Sequence, residues 1–536
     1  MCPRILDCGW GLPLRFLSEV KAIYHARRRE STKMTVLLEL FPGKLWYGTV
    51  LLVSALALNG CMLGPQYHEP AVESLAVWSV ADEDLVQSNR PTDLLWWRRA
   101  FNDDELDLLI TYALKQNLSL RSAGLQVLQS QQRLAIAVGN RFPQAQQITG
   151  SASRQRQTQT TFESYNVGFN LSWELDFWGR FSRQIESAAA ELDASVANYD
   201  AAVVSLIAEI ANNYLLVRTN QERREVARQN IDLQRQSLAI AQAKFNAGEV
   251  SELDVFQARS LLHDTEAQVF TYDTNVAQLT NSLAILLGLL PGALNDFLEA
   301  TKPVPETDIS IALGLPQDQI RRRPDLRAAE RRLAAQSAQI GFAITDLYPH
   351  FTIGGTIGTS ADTGGDLFTS GSEFWSIFGD FSWNIFNYGR LRNNVRLQDA
   401  LFQQLLVDYR NTVLQAQNET ENAIVDYINA HRQLLAYERA NTAATSAVET
   451  ASIQYQEGLI NFNTVISNLS TKAQQQDLFA VTKGAVATNL VQVYRSLGGG
   501  WEMRADEDPV QLLSPEDIEE LQQRTKFWEK SLPASY

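Results

Sequence analysis

Two nine-residue stretches, SWELDFWGR (Ser172–Arg180) and SWNIFNYGR (Ser382–Arg390), stand 210 residues apart and share Ser, Trp, an aromatic residue, Gly and Arg at matching places. The same offset carries Gly248 onto Gly458 and Leu287-Gly288 onto Leu497-Gly498. Upstream the offset is 206, carrying Pro143 onto Pro349 and Ser119-Leu120-Arg121 onto Asp325-Leu326-Arg327. A constant offset with one local change marks an internal duplication, with the change in a loop. The two copies occupy residues 104–290 and 321–500.

Each nonapeptide lies where the residue pattern changes period. Before the first, Tyr165, Val167, Phe169, Leu171, Trp173 and Leu175 alternate with polar residues. Before the second, Trp375, Ile377, Phe381, Trp383 and Ile385 keep the same rhythm, and Phe378 interrupts the polar face. A period of two is a strand with one apolar and one polar side. Each is about long enough for a tilted strand to cross a membrane. Trp173, Trp178, Trp383 and Tyr388 gather at one end, as in an interfacial aromatic belt. Partner strands are expected nearby, so that strands occupy about 147–177 and 350–387.

After each nonapeptide, residues 181–247 and 391–457 contain neither Gly nor Pro, a pattern that predicts two very long helices. Leu192, Val196, Tyr199, Val203, Leu206 and Ile210 step by four and three, the spacing of helices packed along their length. Phe402, Leu406, Tyr409 and Val413 repeat that frame, which fades at Ala416 and Thr420. Gly248 and Gly458 then mark helix reversals. Helical hairpins are therefore expected over about 181–288 and 391–498, with Gly484 the one glycine inside a second arm. The nonapeptide is thus a junction where a membrane strand ends and a long helix begins. Four strands cannot close a barrel, and lipid does not tolerate open sheet edges. Several copies must share one barrel, and three copies of four strands give twelve, wide enough for water.

The bulk numbers agree with an envelope protein. The 536 residues carry a net charge of −15, against a nucleic-acid partner, which needs clustered Lys and Arg. Cys2, Cys8 and Cys61 are too few for a disulfide framework. Residues 1–60 read as a signal-peptide region, with Lys44 before an apolar stretch from Val50 to Leu58. The first 33 residues fit no signal design, which makes Met34 a candidate start. His25, His68, His263, His350 and His431 are scattered without ligand spacing, so neither an enzyme, a metal site nor a cofactor is expected.

The sequence resembles the TolC superfamily of outer-membrane efflux channels, and within it the NodT-type lipoproteins that serve resistance-nodulation-division (RND) pumps. The residues that carry this are Cys61 in its lipobox, WWRRAFNDDELDLLI (Trp96–Ile110), RRPDLRAAERRL (Arg322–Leu333), LYPHFTIGGTIG (Leu347–Gly358) and the two junctions with Trp173, Gly179, Arg180, Trp383, Gly389 and Arg390. The resemblance implies a mainly α protein with a membrane β-barrel. A homotrimer would form a 12-stranded barrel in the outer membrane, a long periplasmic α-helical barrel and a mixed equatorial belt. Residues 61–103, 291–320 and 501–536 would supply the lipidated N-terminal segment, belt linker and tail. It further implies lipidation at Cys61, outer-membrane lipid around the strands, a periplasmic adaptor and an inner-membrane RND transporter, with drugs, toxic small molecules or metal ions as cargo.

In that family the periplasmic tip closes on inward helices. By register from Gly458 the usual aperture carboxylate falls on Ser467 and an apolar aperture position on Asn463. Glu252 and Asp254 would supply acidity from the first tip, and Asn463 and Ser467 a more polar, less charged gate. Glu174, Asp176 and Asp380 would make the barrel lumen mildly acidic. Two other designs stay open: a duct for protein secretion with an ABC transporter, and a lipid-anchored coiled-coil spacer without a pore.

Overall fold

The computed structural model describes residues 62–71, 78, 86–87, 95–307, 311–312, 322–504, 507–528 and 532. The expected signal segment and Cys61 lie outside the described residues. Strand β1 (Val86–Gln87) precedes helices α1 (Trp96–Phe101), α2 (Asp104–Gln116) and α3 (Leu118–Gly139). Then come β2 (Ala145–Gln157), β3 (Thr160–Glu174), α4 (Arg180–Asn246) and α5 (Glu252–Leu286). A link carries α6 (Asn295–Leu298) and β4 (Ile311–Ala312), which pairs in parallel with β1. The second copy repeats the order as α7 (Pro324–Thr345), β5 (His350–Ala361), β6 (Glu373–Ser382), α8 (Arg390–Gln456) and α9 (Phe462–Ser496), and the tail ends in α10 (Pro515–Arg524).

Helices α4 and α8 each run 67 residues, roughly 100 Å at the α-helical rise. Glycine sets both ends. Gly179 and Gly389 start the helices at φ 76° and 81°, in the left-handed region that favours Gly. At the far ends Gly248 (φ 77°) and Gly458 (φ 74°) make paired reversals. The Gly248 N–H donates to Phe245 and the Glu249 N–H to Lys244, and Gly458 and Leu459 repeat this toward Tyr455 and Gln454. That is the six-to-one and five-to-two pattern of a Schellman cap. Ser251 and Asn461 then cap α5 and α9 through their side-chain oxygens.

Sheet order is β2-β3-β5-β6, antiparallel throughout, so β2 and β6 are its edges. The pairing puts Ile148, Phe169, Ile357 and Trp375 in one row and Phe351 with Phe381 in another, all on one face. Asn166, Asn170, Thr356 and Ser376 share the opposite face, where Asn170 bonds Thr149 at 2.8 Å and meets Thr356 at 2.9 Å. The apolar face is exposed, the mark of a surface that water does not cover.

The main core lies halfway down α4, which packs on α3, α5, α7 and α9. Tyr199, Val203, Leu206 and Ile210 of the heptad stripe are buried there. One window of α4 is apolar enough to cross a membrane, but most of it is buried inside the protein. Trp96 stacks on Tyr494 at 4.8 Å between centroids, and Leu298, Val510 and Ile518 join the same cluster, so N-terminal, linker and tail segments meet on one girdle. In α8 the fading positions Ala416 and Thr420 are buried too. Thr420 is tolerated because its hydroxyl donates to the Ala416 carbonyl at 3.0 Å.

Candidate transport pathway

The two junctions can be compared atom by atom, since the duplication makes each a control for the other. Trp173 Nε1 donates to the Arg141 carbonyl at 3.1 Å, and Trp383 Nε1 to the Leu347 carbonyl at 2.9 Å. Arg141 and Leu347 are themselves related by the 206-residue offset, so each Trp pins its strand to the end of the preceding helix. Beyond this point the two differ. At the first junction Arg180 lies 3.2 Å from Asp346, 3.8 Å from Glu174 and 3.3 Å from His350, and its guanidinium covers the Phe342 ring at 5.0 Å. Trp178 donates to the Pro349 carbonyl at 2.8 Å and its ring meets Tyr348 at 4.9 Å. All of these partners except Glu174 belong to the second copy.

At the second junction, among the described residues, no equivalent contacts form around Tyr388 and Arg390. Arg390 is exposed, and Tyr388, the counterpart of Trp178, is 104% exposed. The bareness extends down the helix. Ser187 and Ala197 of α4 are 6% and 1% exposed in the region packed on α7, whereas Leu397 and Val407, 210 residues later in α8, are each 54% exposed. Phe142, which corresponds to Tyr348, is 61% exposed at the end of α3. One flank of the repeat is satisfied internally and its equivalent is open on both edges of the protomer.

Of Glu174, Asp176 and Asp380, the acids expected in the lumen, two have local partners. Asp176 accepts from the Phe181 and Ser182 N–H groups at 2.9 Å each, satisfying free donors at the start of α4. Glu174 meets His350 Nδ1 at 2.7 Å and lies near Arg180. Only Asp380 stays on the polar sheet face without a hydrogen bond or ion pair among the described residues. Sequence alternation identified the face but not these local partners.

At the opposite end, Gly248 and Gly458 form neighbouring tips. Lys244 reaches Glu249 at 3.1 Å and lies 5.3 Å from the Tyr455 ring, which packs on buried Phe462 at 5.1 Å. Glu252 is exposed, while burial raises the carboxyl pKa of Asp254 above its ordinary value. The Asp254 and Glu249 charges add to the burial that raises the Tyr455 hydroxyl. Asn463 and Ser467 sit one turn apart on an exposed face of α9. The protomer therefore brings Asp254 toward the second tip, and joins neither acid to Asn463 or Ser467.

Two features escaped the sequence. Met62 packs at the first junction, where a Cβ on Gly179 would come within 2.9 Å of its Cγ. Phe374 and Phe378 lie on the polar sheet face directly across from Gly358 and Gly354. The four-residue spacing of both pairs was the available signal.

Comparison with known proteins agrees with this architecture. The family profile described as "Outer membrane efflux protein" matches residues 109–289 and 315–499. Nodulation protein T of Rhizobium leguminosarum bv. trifolii is 29% identical over 438 residues, covering 81% of this chain and 91% of that protein. The cation efflux system protein CusC of Escherichia coli O6:H1 is 28% identical over 457 residues, covering 84% and 97%. The solved outer-membrane channel OprN superposes with a TM-score of 0.78 at 31% identity, covering 82% of this chain and 100% of the other. The chain belongs to the outer membrane efflux protein family.

Proposed function

We propose that three copies of this efflux channel close into one trimeric duct, the passive outer-membrane exit of a tripartite pump. The observation that carries the reading is the half-satisfied repeat. Within the protomer α4 is covered by α7, and Trp178 by Tyr348 and Pro349. The equivalent surfaces, the flank of α8 that carries Leu397 and Val407 with Tyr388 on one edge and Phe142 beyond α3 on the other, are exposed. Edges β6 and β2 run in opposite directions, so β6 of one copy can continue antiparallel into β2 of the next. Three protomers repeat this seam three times and close a barrel of twelve strands, with the apolar face toward lipid.

The energy for export would come from an inner-membrane RND transporter, joined through a periplasmic adaptor that engages the tips at Gly248 and Gly458. Lipidation of Cys61, in its lipobox, would add an acyl anchor in the outer membrane. Asn463 and Ser467 would line the aperture, with Glu252 and Asp254 adding charge from the first tip. The reading favours drugs, toxic small molecules or metal ions as cargo.

Reconstitution of the full-length protein into planar bilayers tests this. We expect channel conductance, and replacement of Asn463 or Ser467 by Leu should change it by about twofold or more, since either residue would occur three times around one constriction. A protein that never conducts contradicts the duct. Conductance unchanged in both variants removes these two residues from the aperture.

A further inference from the structure

We propose that Phe374, Phe378 and Asp380 form a binding station for aromatic organic cations inside the outer-membrane barrel, an inference that rests on the channel reading above. The pairing register fixes their side of the sheet. Phe374 pairs with Gly358, Phe378 with Gly354 and Asp380 with Thr352, and these share a face with Thr356, Asn170 and Asn166. In a closed barrel the opposite, apolar face meets lipid, so this one meets the lumen.

Both rings rest on a built platform. A Cβ on Gly354 would stand 2.3 Å from Phe378 Cζ, and one on Gly358 would stand 3.2 Å from Phe374 Cε1. Glycine therefore lets each ring lie over the neighbouring strand, an arrangement that covers bare backbone with an aromatic face. The outer faces of the rings remain open, with Phe374 38% and Phe378 47% exposed. The duplication shows that strand geometry does not require them, because Ser164 and Gly168 stand at the matching places in the first copy. Closing the barrel does not cover them with apolar side chains. The face of β2 that a neighbouring copy would bring alongside carries Thr149, Ser151 and Ser153.

Two aromatic faces in a polar channel attract flat apolar groups, and their quadrupoles attract positive charge. Asp380 lies two residues beyond Phe378, about 7 Å along the strand, and its carboxylate has no hydrogen bond or ion pair among the described residues. Ring and carboxylate together match a planar cation better than a neutral solute or an anion. The station would occur three times around the lumen, giving a departing cation a weak foothold past the aromatic belt.

The test is block of single-channel current in the reconstituted full-length protein by ethidium added on the extracellular side, with pyrenesulfonate as a planar anion of opposite charge. Ethidium should block at lower concentration than pyrenesulfonate. F378L keeps an apolar cover over Gly354 but loses the π face, and D380N loses only the charge. Each should raise the half-blocking concentration by roughly threefold, as expected for the loss of one exposed cation–π or ionic contact. Equal block of wild type, F378L and D380N, or equal block by the anion, overturns the station while leaving the duct intact. Absence of any conductance overturns both.

Discussion

Replacing Glu105 by Ala should destabilise the protein by about 3–5 kcal/mol, the usual cost of stranding a buried charge. The stranded group is Arg218 of α4, which is fully buried and forms an ion pair with Glu105. Arg218 Nη1 also donates to Gln221 at 2.7 Å and to the Ala300 carbonyl at 2.8 Å, and the guanidinium lies 5.0 Å from the Tyr214 ring. Lys302 joins Glu105 from the other side at 2.6 Å. The cluster thus ties α2, the middle of α4 and the link between the copies into one girdle. Burial pushes the Glu105 pKa up, but Lys302 and Arg218 outweigh it and hold the carboxyl below its ordinary value. A depressed carboxyl contributes its full stability above the unfolded pKa and loses it as pH falls through the folded one. The gap in thermal midpoint between wild type and E105Q should therefore be constant near neutrality and shrink at acid pH. A gap that does not change down to about pH 3 would show that the pair is not what stabilises the girdle.

The second large effect is steric. Gly484 sits inside α9, where a Cβ would come within 2.2 Å of Thr219 Oγ1 on α4 and 2.7 Å of its Cγ2. The Thr219 hydroxyl is held in place by the Leu215 carbonyl at 2.7 Å, so it has little room to turn away. This contact is where a helix of the second copy crosses the central helix of the first. G484L must push the helices apart and should cost at least the upper part of the roughly 1–3 kcal/mol seen for overpacking. G484A should cost less, and T219A should recover part of the loss in a double-mutant cycle. Additive losses from G484A and T219A would place the strain elsewhere.

Much of the fold was legible because it depends on features local in sequence. The long helices announced themselves as runs without Gly or Pro, and α4 and α8 begin within one residue of the expected positions. Strand alternation gave the faces, and β5 starts at His350 as expected. Gly484 looked like an interruption of a helix, and its reason needs the α4 neighbour that only the folded chain brings near. Asp176 and Glu174 read as lumen acids because their backbone positions alternate correctly. The Phe181 and Ser182 N–H groups and the side chains of Arg180 and His350 claim them through contacts that periodicity does not encode. Phe378 broke the polar pattern for a reason lying on the next strand, at Gly354. Sequence also could not show that the two junctions differ in what covers them, although their residues repeat.

The central claim is that each bare edge of the protomer is completed by the opposite edge of another copy. It is tested most directly by placing Cys at Phe142 and Tyr388 together and treating the membrane-embedded protein with a short bis-maleimide. The repeat places these residues in the relation that Tyr348 and Trp178 hold within one chain, where the ring centroids are 4.9 Å apart. The account predicts covalent dimers and trimers on a denaturing gel, no ladder beyond three, and no such products from either single variant. A double variant that stays monomeric, or a ladder that runs past three, would contradict it.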